Sequence, residues 1–173
     1  MPAGPNMSGF DTLSFGPIPG YEEWKEYDQN GRFYKRRWLY NACGAALAAG
    51  DVVVVNYDGD EETNPQVGVC AALAVYQEVA VFKETASGGT SLADATWGWF
   101  VVQGYVDAKC NGDSVDITKD DFLKIVAGTD ADAFVDNTTA RTTNSHAIAC
   151  ADETDATPSV TLVYLFGRSA IIT

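Results

Sequence analysis

A chain of 173 residues with 46% apolar and 12% aromatic content can bury a real core, which excludes a disordered polymer. Twenty-four acids against eleven Lys and Arg leave a net charge of −13, which excludes wrapping of nucleic acid, because phosphate binding needs clustered bases. The length fits one domain, or one domain with an appendage.

Residues 1–20, "MPAGPNMSGFDTLSFGPIPG", hold four prolines and four glycines and so cannot form a regular helix or a central strand. They also hold Phe10, Leu13, Phe15 and Ile18, which a plain solvated tail would lack. The combination predicts an extended N-terminal arm that lays these four side chains on another surface.

Residues 21–40 are an aromatic and basic contact zone. Five acids balance five bases over residues 1–40, whereas residues 41–173 carry nineteen acids and six bases, so the whole excess of negative charge sits on the body. The Asn-Gly of "DQNGRF" is a turn signal. After it, "RFYKRRWLY" reads as a strand with Phe33, Lys35, Arg37 and Leu39 on one face and Tyr34, Arg36, Trp38 and Tyr40 on the other. Before it, Tyr21–Tyr27 can be a short helix. Trp, Tyr and Arg dominate interface hot spots, so Tyr34, Arg36 and Trp38 join the four arm residues as candidate partner contacts.

From residue 41 onward, short β-prone runs alternate with turns. In order they are "GDVVVVNYDGD", "QVGVCAALAVYQEVAVF", "WGWFVVQGYVDAK", "DDFLKIV", "AFVDN", "HAIACA" and "VTLVYLFGRSAII". This predicts a mainly β fold: a compact β-barrel or sandwich body over residues 21–173, with the arm at 1–20. Phe100, Val102, Phe122, Leu162 and Tyr164 are expected in or near the β core. A weak internal repeat relates "AAGDVVVV … QVGVCAAL … WGWFVVQG" to "TKDDFLKI … HAIACADE … VTLVYLFG".

Signals for chemistry are sparse. The four cysteines, Cys43, Cys70, Cys110 and Cys150, form no C-x-x-C pair, and His146 is the single histidine, so no zinc site and no cofactor are expected. Small and apolar neighbours make these cysteines read as buried thiols. No G-x-S-x-G, Walker A or G-x-G-x-x-G pattern occurs, and no enzyme is expected. Asp58, Asp60 and Glu62 alternate and can ligate one calcium ion, but read more simply as a solvated acidic loop. Trp97 and Trp99 share a strand face and suit either a sugar platform or the core. The longest uncharged apolar run, "VGVCAALAVY", has ten residues against the roughly 20 that a spanning helix needs, so no membrane segment is expected. No export signal is read at the N-terminus, and synthesis in a cytoplasm is the expectation.

The run "AAGDVVVVN", the strand "WGWFVVQGYVDAKC", the segment "DDFLKIVAGTDADAFVD" and the closing "VTLVYLF" resemble the small β-rich decoration, or cement, proteins of tailed-bacteriophage heads. The likeness covers roughly residues 38–170, and the basic, aromatic zone before it departs from the simplest members. The resemblance implies a virion structural protein without an active site. It would bind the major capsid protein on the outer surface of the head and bridge neighbouring capsomers with its arm. It also implies a homo-oligomer, commonly a trimer, and no nucleic-acid or membrane partner. The alternative is a β-sandwich carbohydrate- or receptor-binding module of a phage tail, with Trp97, Trp99 and the acidic loops as its site.

Overall fold

A computed structural model describes residues 18–56, 66–68, 78–112, 115–126, 133–138, 142, 145–154 and 157–167. These residues form strands and turns only, in keeping with their β-branched and aromatic runs. The strands are β1 (Glu22–Glu26), β2 (Phe33–Asn41), β3 (Leu47–Ala48), β4 (Val52–Asn56), β5 (Gln66–Gly68), β6 (Val79–Glu84), β7 (Ser91–Leu92), β8 (Trp97–Asn111), β9 (Phe122–Ile125), β10 (Phe134–Thr138), β11 (Ala147–Ala149) and β12 (Ser159–Leu165). The segment before the Asn-Gly turn is strand β1, not a helix. Its acids pair with bases across the turn: Glu22 lies opposite Arg37 and Glu23 opposite Arg36. These cross-strand pairs outweigh the helical preference of a short acidic segment.

The main sheet closes twice. β2, β5, β4, β6 and β8 form one circuit, because β8 returns to pair with β2. β8, β10, β9, β11 and β12 form a second, because β12 returns to β8. The body is therefore two five-stranded barrels that share one strand. At about 3.3 Å per residue, the 15 residues of β8 are long enough to serve both. Its first half pairs with β2 and its second with β12, and Gly104 faces both partners, Tyr34 and Leu165. The hand-over requires glycine: φ is +92°, and a Cβ there would lie 2.4 Å from the Phe33 carbonyl oxygen.

The two barrels repeat each other strand for strand. Each has one parallel contact, β2 with β5 and β8 with β10, and four antiparallel ones. The turn into β4 and the turn into β9 match atom for atom. Asp51 accepts from the Ala48 amide at 2.8 Å, and Asp121 from the Thr118 amide at 2.8 Å. The residues before them, Gly50 and Asp120, both have positive φ. The Phe82 amide donates to the Asp51 carbonyl and the Ala149 amide to the Asp121 carbonyl, both at 2.9 Å. The β3–β7 pairing at Leu47 and Leu92 returns as the bridge between Ile117 and Glu153. Gly104 after β8's first half returns as Gly167 after β12. The sequence repeat thus aligns β4 with β9 and β8 with β12. Its middle correspondence is displaced, since "QVG" is β5 while "AIA" is β11, the counterpart of β6.

One core cluster fills the first barrel: Leu39, Leu47, Val53, Val55, Val67, Ala80, Phe82, Leu92, Phe100 and Val102. A second joins the interior of the other barrel, around Leu123, Phe134, Val163 and Leu165, to the opposite face of β4, β6 and β8. Phe100 and Val102 are buried as expected. Phe122, Leu162 and Tyr164 are only half-buried, and their neighbours Leu123, Val163 and Leu165 point inward instead. Alternation fits either face. Phe134 already fills one wall of the second barrel's lumen, so the aliphatic set enters beside it while Phe122 and Tyr164 line the outside. There Tyr105 and Tyr164 meet at 5.0 Å and Phe122 and Phe166 at 6.0 Å between ring centroids.

Candidate functional site

β1 lies outside both barrels and pairs with β2, a strand of the first, so it is the one strand of the main sheet with a single partner among the described residues. Its entry is an Ile18-Pro19-Gly20-Tyr21 turn, closed by the Tyr21 amide on the Ile18 carbonyl at 3.1 Å with Gly20 at φ +73°. Its far end is set by Asp28, whose carboxylate accepts from the Asn30 amide at 2.9 Å, and by Gly31 at φ +72°. The Tyr27 amide then donates to the Arg32 carbonyl at 2.7 Å.

One hairpin face carries Tyr34, Arg36 and Trp38, as period two requires. Trp38 packs edge-on to Trp99 at 5.1 Å, and Tyr21 meets Trp99 from the other side at 6.1 Å. The Arg36 guanidinium lies 3.9 Å above the Trp99 ring and donates to Glu23, at 2.8 Å through Nε, and to Glu84. A buried arginine stacked on an indole and held by two carboxylates fixes the angle between hairpin and barrel. The opposite face carries a parallel network: Arg37 joins Glu22 and, at 3.0 Å, Glu78, while Lys35 also reaches Glu22. Burial raises the Glu22 pKa, but hydrogen bonds and the charges of Lys35 and Arg37 outweigh it and hold the carboxyl below its ordinary value. At the far end, the Tyr27 hydroxyl donates to Asp107 at 2.7 Å. Burial, reinforced by this bond and the carboxylate's charge, pushes Tyr27 up to about 12.

The seven residues expected to touch a partner fall into three groups. Phe10, Leu13 and Phe15 lie outside the described residues. Ile18 is 73% exposed. Tyr34, Arg36 and Trp38 come together on β2, but at 8%, 8% and 3% exposure they are spent on holding the hairpin to the barrel. The exposed aromatics of the zone are others: Tyr21, Trp24 at 57% and Phe33 at 50%. Trp24 and Phe33 share the hairpin face opposite Tyr34, one register step apart. Reading the same alternation across the Asn-Gly turn into β1 would have singled them out.

Trp97 and Trp99 do share a face, but Trp99 lies beneath Arg36 and Trp97 stacks edge-on to Tyr40 at 5.4 Å. Neither offers an open ring pair to a sugar. Cys43, Cys110 and Cys150 are unbridged, and Cys70 lies outside the described residues. Cys110 is buried and the other two are half-buried. Burial raises all three thiols, Cys43 to about 11 and Cys110 to about 12, the reverse of an activated nucleophile. Asp58, Asp60 and Glu62 also lie outside the described residues, among which no group of three metal-ligating side chains assembles. No protein-family model, curated protein or solved structure matches this chain.

Proposed function

We propose that the chain is a structural docking protein, a decoration protein on the outer surface of a phage head, held to the major capsid protein by its N-terminal end. The observation that carries this reading is the polarity of the molecule. Four of the six exposed large apolar side chains among the described residues, Ile18, Tyr21, Trp24 and Phe33, lie within sixteen residues of chain. They sit within residues 1–40, whose five acids and five bases balance, whereas residues 41–173 carry the whole excess of negative charge. Exposed apolar side chains gathered at one end mark a contact surface. Two barrels closed on a shared strand make a rigid carrier for it and leave few open edges.

In this reading the protein performs no chemistry. Phe10, Leu13, Phe15 and Ile18 are the anchors; full burial of each contributes about 1.5–3 kcal/mol before the entropy of ordering is subtracted. Multiplicity on a shell turns a modest net energy per copy into firm decoration. The trimer implied by the resemblance belongs to the same proposal. The test replaces Phe10, Leu13, Phe15 and Ile18 together by Ser and adds the full-length variant to undecorated heads. Unchanged circular dichroism with occupancy reduced at least tenfold in cryo-EM images is the expected result. Full occupancy by the variant contradicts anchoring by this segment.

A further inference from the structure

We infer that the edge of β1 left unpaired among the described residues pairs with the β1 edge of a second copy, antiparallel, about a two-fold axis at Trp24. The backbone supplies the first argument. The β1–β2 register runs unbroken from Tyr21 opposite Trp38 to Tyr27 opposite Arg32; the Tyr21 carbonyl accepts from the Trp38 amide and the Tyr27 amide donates to the Arg32 carbonyl, so both residues bond toward β2. Antiparallel ladders alternate, so Tyr21, Glu23, Lys25 and Tyr27 turn their peptide groups to β2, and Glu22, Trp24 and Glu26 turn theirs to the free edge. A second strand centred on Trp24 meets those same three residues: Glu22 opposite Glu26, Trp24 opposite Trp24 and Glu26 opposite Glu22. Each such pair exchanges two hydrogen bonds, about six in all.

Side-chain charge supplies the second argument. The same register sets Glu23 of one copy opposite Lys25 of the other, twice, in the close non-bonded positions. Glu22 would meet Glu26, but Glu22 is already neutralised by Lys35 and Arg37. The two Trp24 rings meet on the other face with Phe33 alongside. Elsewhere, two copies of a −13 chain repel, whereas residues 21–40 hold four acids and five bases and so carry +1. An isologous contact there is self-complementary and closed, so it does not propagate into fibres. It adds to a monomer or to a trimer equally and doubles the mass of either.

Analytical ultracentrifugation of the full-length protein from about 1 µM to about 300 µM tests this. The parent is expected to reach twice the mass of Glu26→Pro at the top of the range. Proline at 26 removes an amide that points to the free edge and leaves the β2 ladder whole. Glu26→Gln, which relieves the like-charge pair, is expected to dimerise at least as tightly as the parent. Lys25→Glu is expected to weaken dimerisation tenfold or more, and Trp24→Lys to abolish it with unchanged circular dichroism, which keeps the test decisive if the proline variant misfolds. Equal masses for parent and Trp24→Lys across the range, or equal dimerisation by Glu26→Pro and Glu26→Gln, overturn the inference.

Discussion

The first barrel is filled around Phe82 and Phe100, with Val67 opposite; the second has Ala149 and Val163 at the equivalent positions and Phe134 opposite. Two rings on one wall of the first lumen are answered by a single ring on the opposite wall of the second. Outside, the first barrel is bound by ion pairs through Arg36 and Arg37, and the second is lined by Tyr105, Tyr164, Phe122 and Phe166. What stayed constant is the backbone chemistry: Asp51 and Asp121 in their turns, Gly50 and Asp120 at positive φ, Gly104 and Gly167 after equivalent strands. Strand order is set by turns and closure, while the core needs only the right total volume in a narrow space. The exposed Tyr21, Trp24 and Phe33 belong to neither barrel's repeat, and among the described residues β1 has no equivalent strand in the second barrel.

The largest effects should come from the aromatic anchors. Phe100→Ala and Phe134→Ala are each expected to cost about 3–5 kcal/mol in denaturant unfolding, through cavities in opposite barrels. Because β8 runs through both, each variant should still unfold in one transition. Two separated transitions would break the equivalence into independent units.

Glycine substitutions sharpen the comparison where the surroundings differ. Gly104→Ala meets the backbone of Phe33 and Tyr34 and should cost about 3 kcal/mol or more, as left-handed strain and overpacking add. Gly167→Ala has the Gln103 side chain as its nearest neighbour, at 3.2 Å, and should cost about 1–2 kcal/mol. Equal losses in thermal or denaturant unfolding would mean that the shared strand is not crowded at its hand-over.

Much of this was legible in the residues. The period-two faces of β2 and the Asn-Gly turn follow from alternation and turn chemistry, whereas "WGWFVVQGYVDAK" reads equally as a long strand or a hairpin and is one strand, β8. Closure was not, because β2 and β8, or β8 and β12, meet across some fifty to seventy residues of chain, and nothing local in either strand names its partner. The inward choice of Leu123 over Phe122 was hidden for a related reason: it depends on the space left beside Phe134 in a lumen that exists only after closure. At the site, composition marked the zone but not the side chains. Arg36 and Trp38 look like hot-spot residues, yet Glu23, Glu84 and Trp99 claim them from within the chain.

The smallest effects are those of pH on the hairpin. Glu22 is held below its ordinary value, so its stabilising contribution is complete above the unfolded carboxyl range and is lost as pH falls through the depressed value. Tyr27 is raised to about 12, so its contribution is complete below the unfolded value near 10 and is lost as pH rises toward 12. Fluorescence of Trp24 and Trp99 should therefore report loosening of the hairpin at both extremes while the far-ultraviolet dichroism of the barrels is still intact. Loss of both signals together at either end would tie the hairpin to the barrels as one unit.

Native-state hydrogen exchange on β8 tests the shared-strand architecture most directly. Slowly exchanging amides in the first half, such as Phe100 and Val102, and in the second, such as Val106 and Ala108, should open with the same free energy, equal to that of global unfolding. A difference of more than about 2 kcal/mol between the halves would mean that the barrels open separately, and would contradict the account of β8 as the common wall of one body.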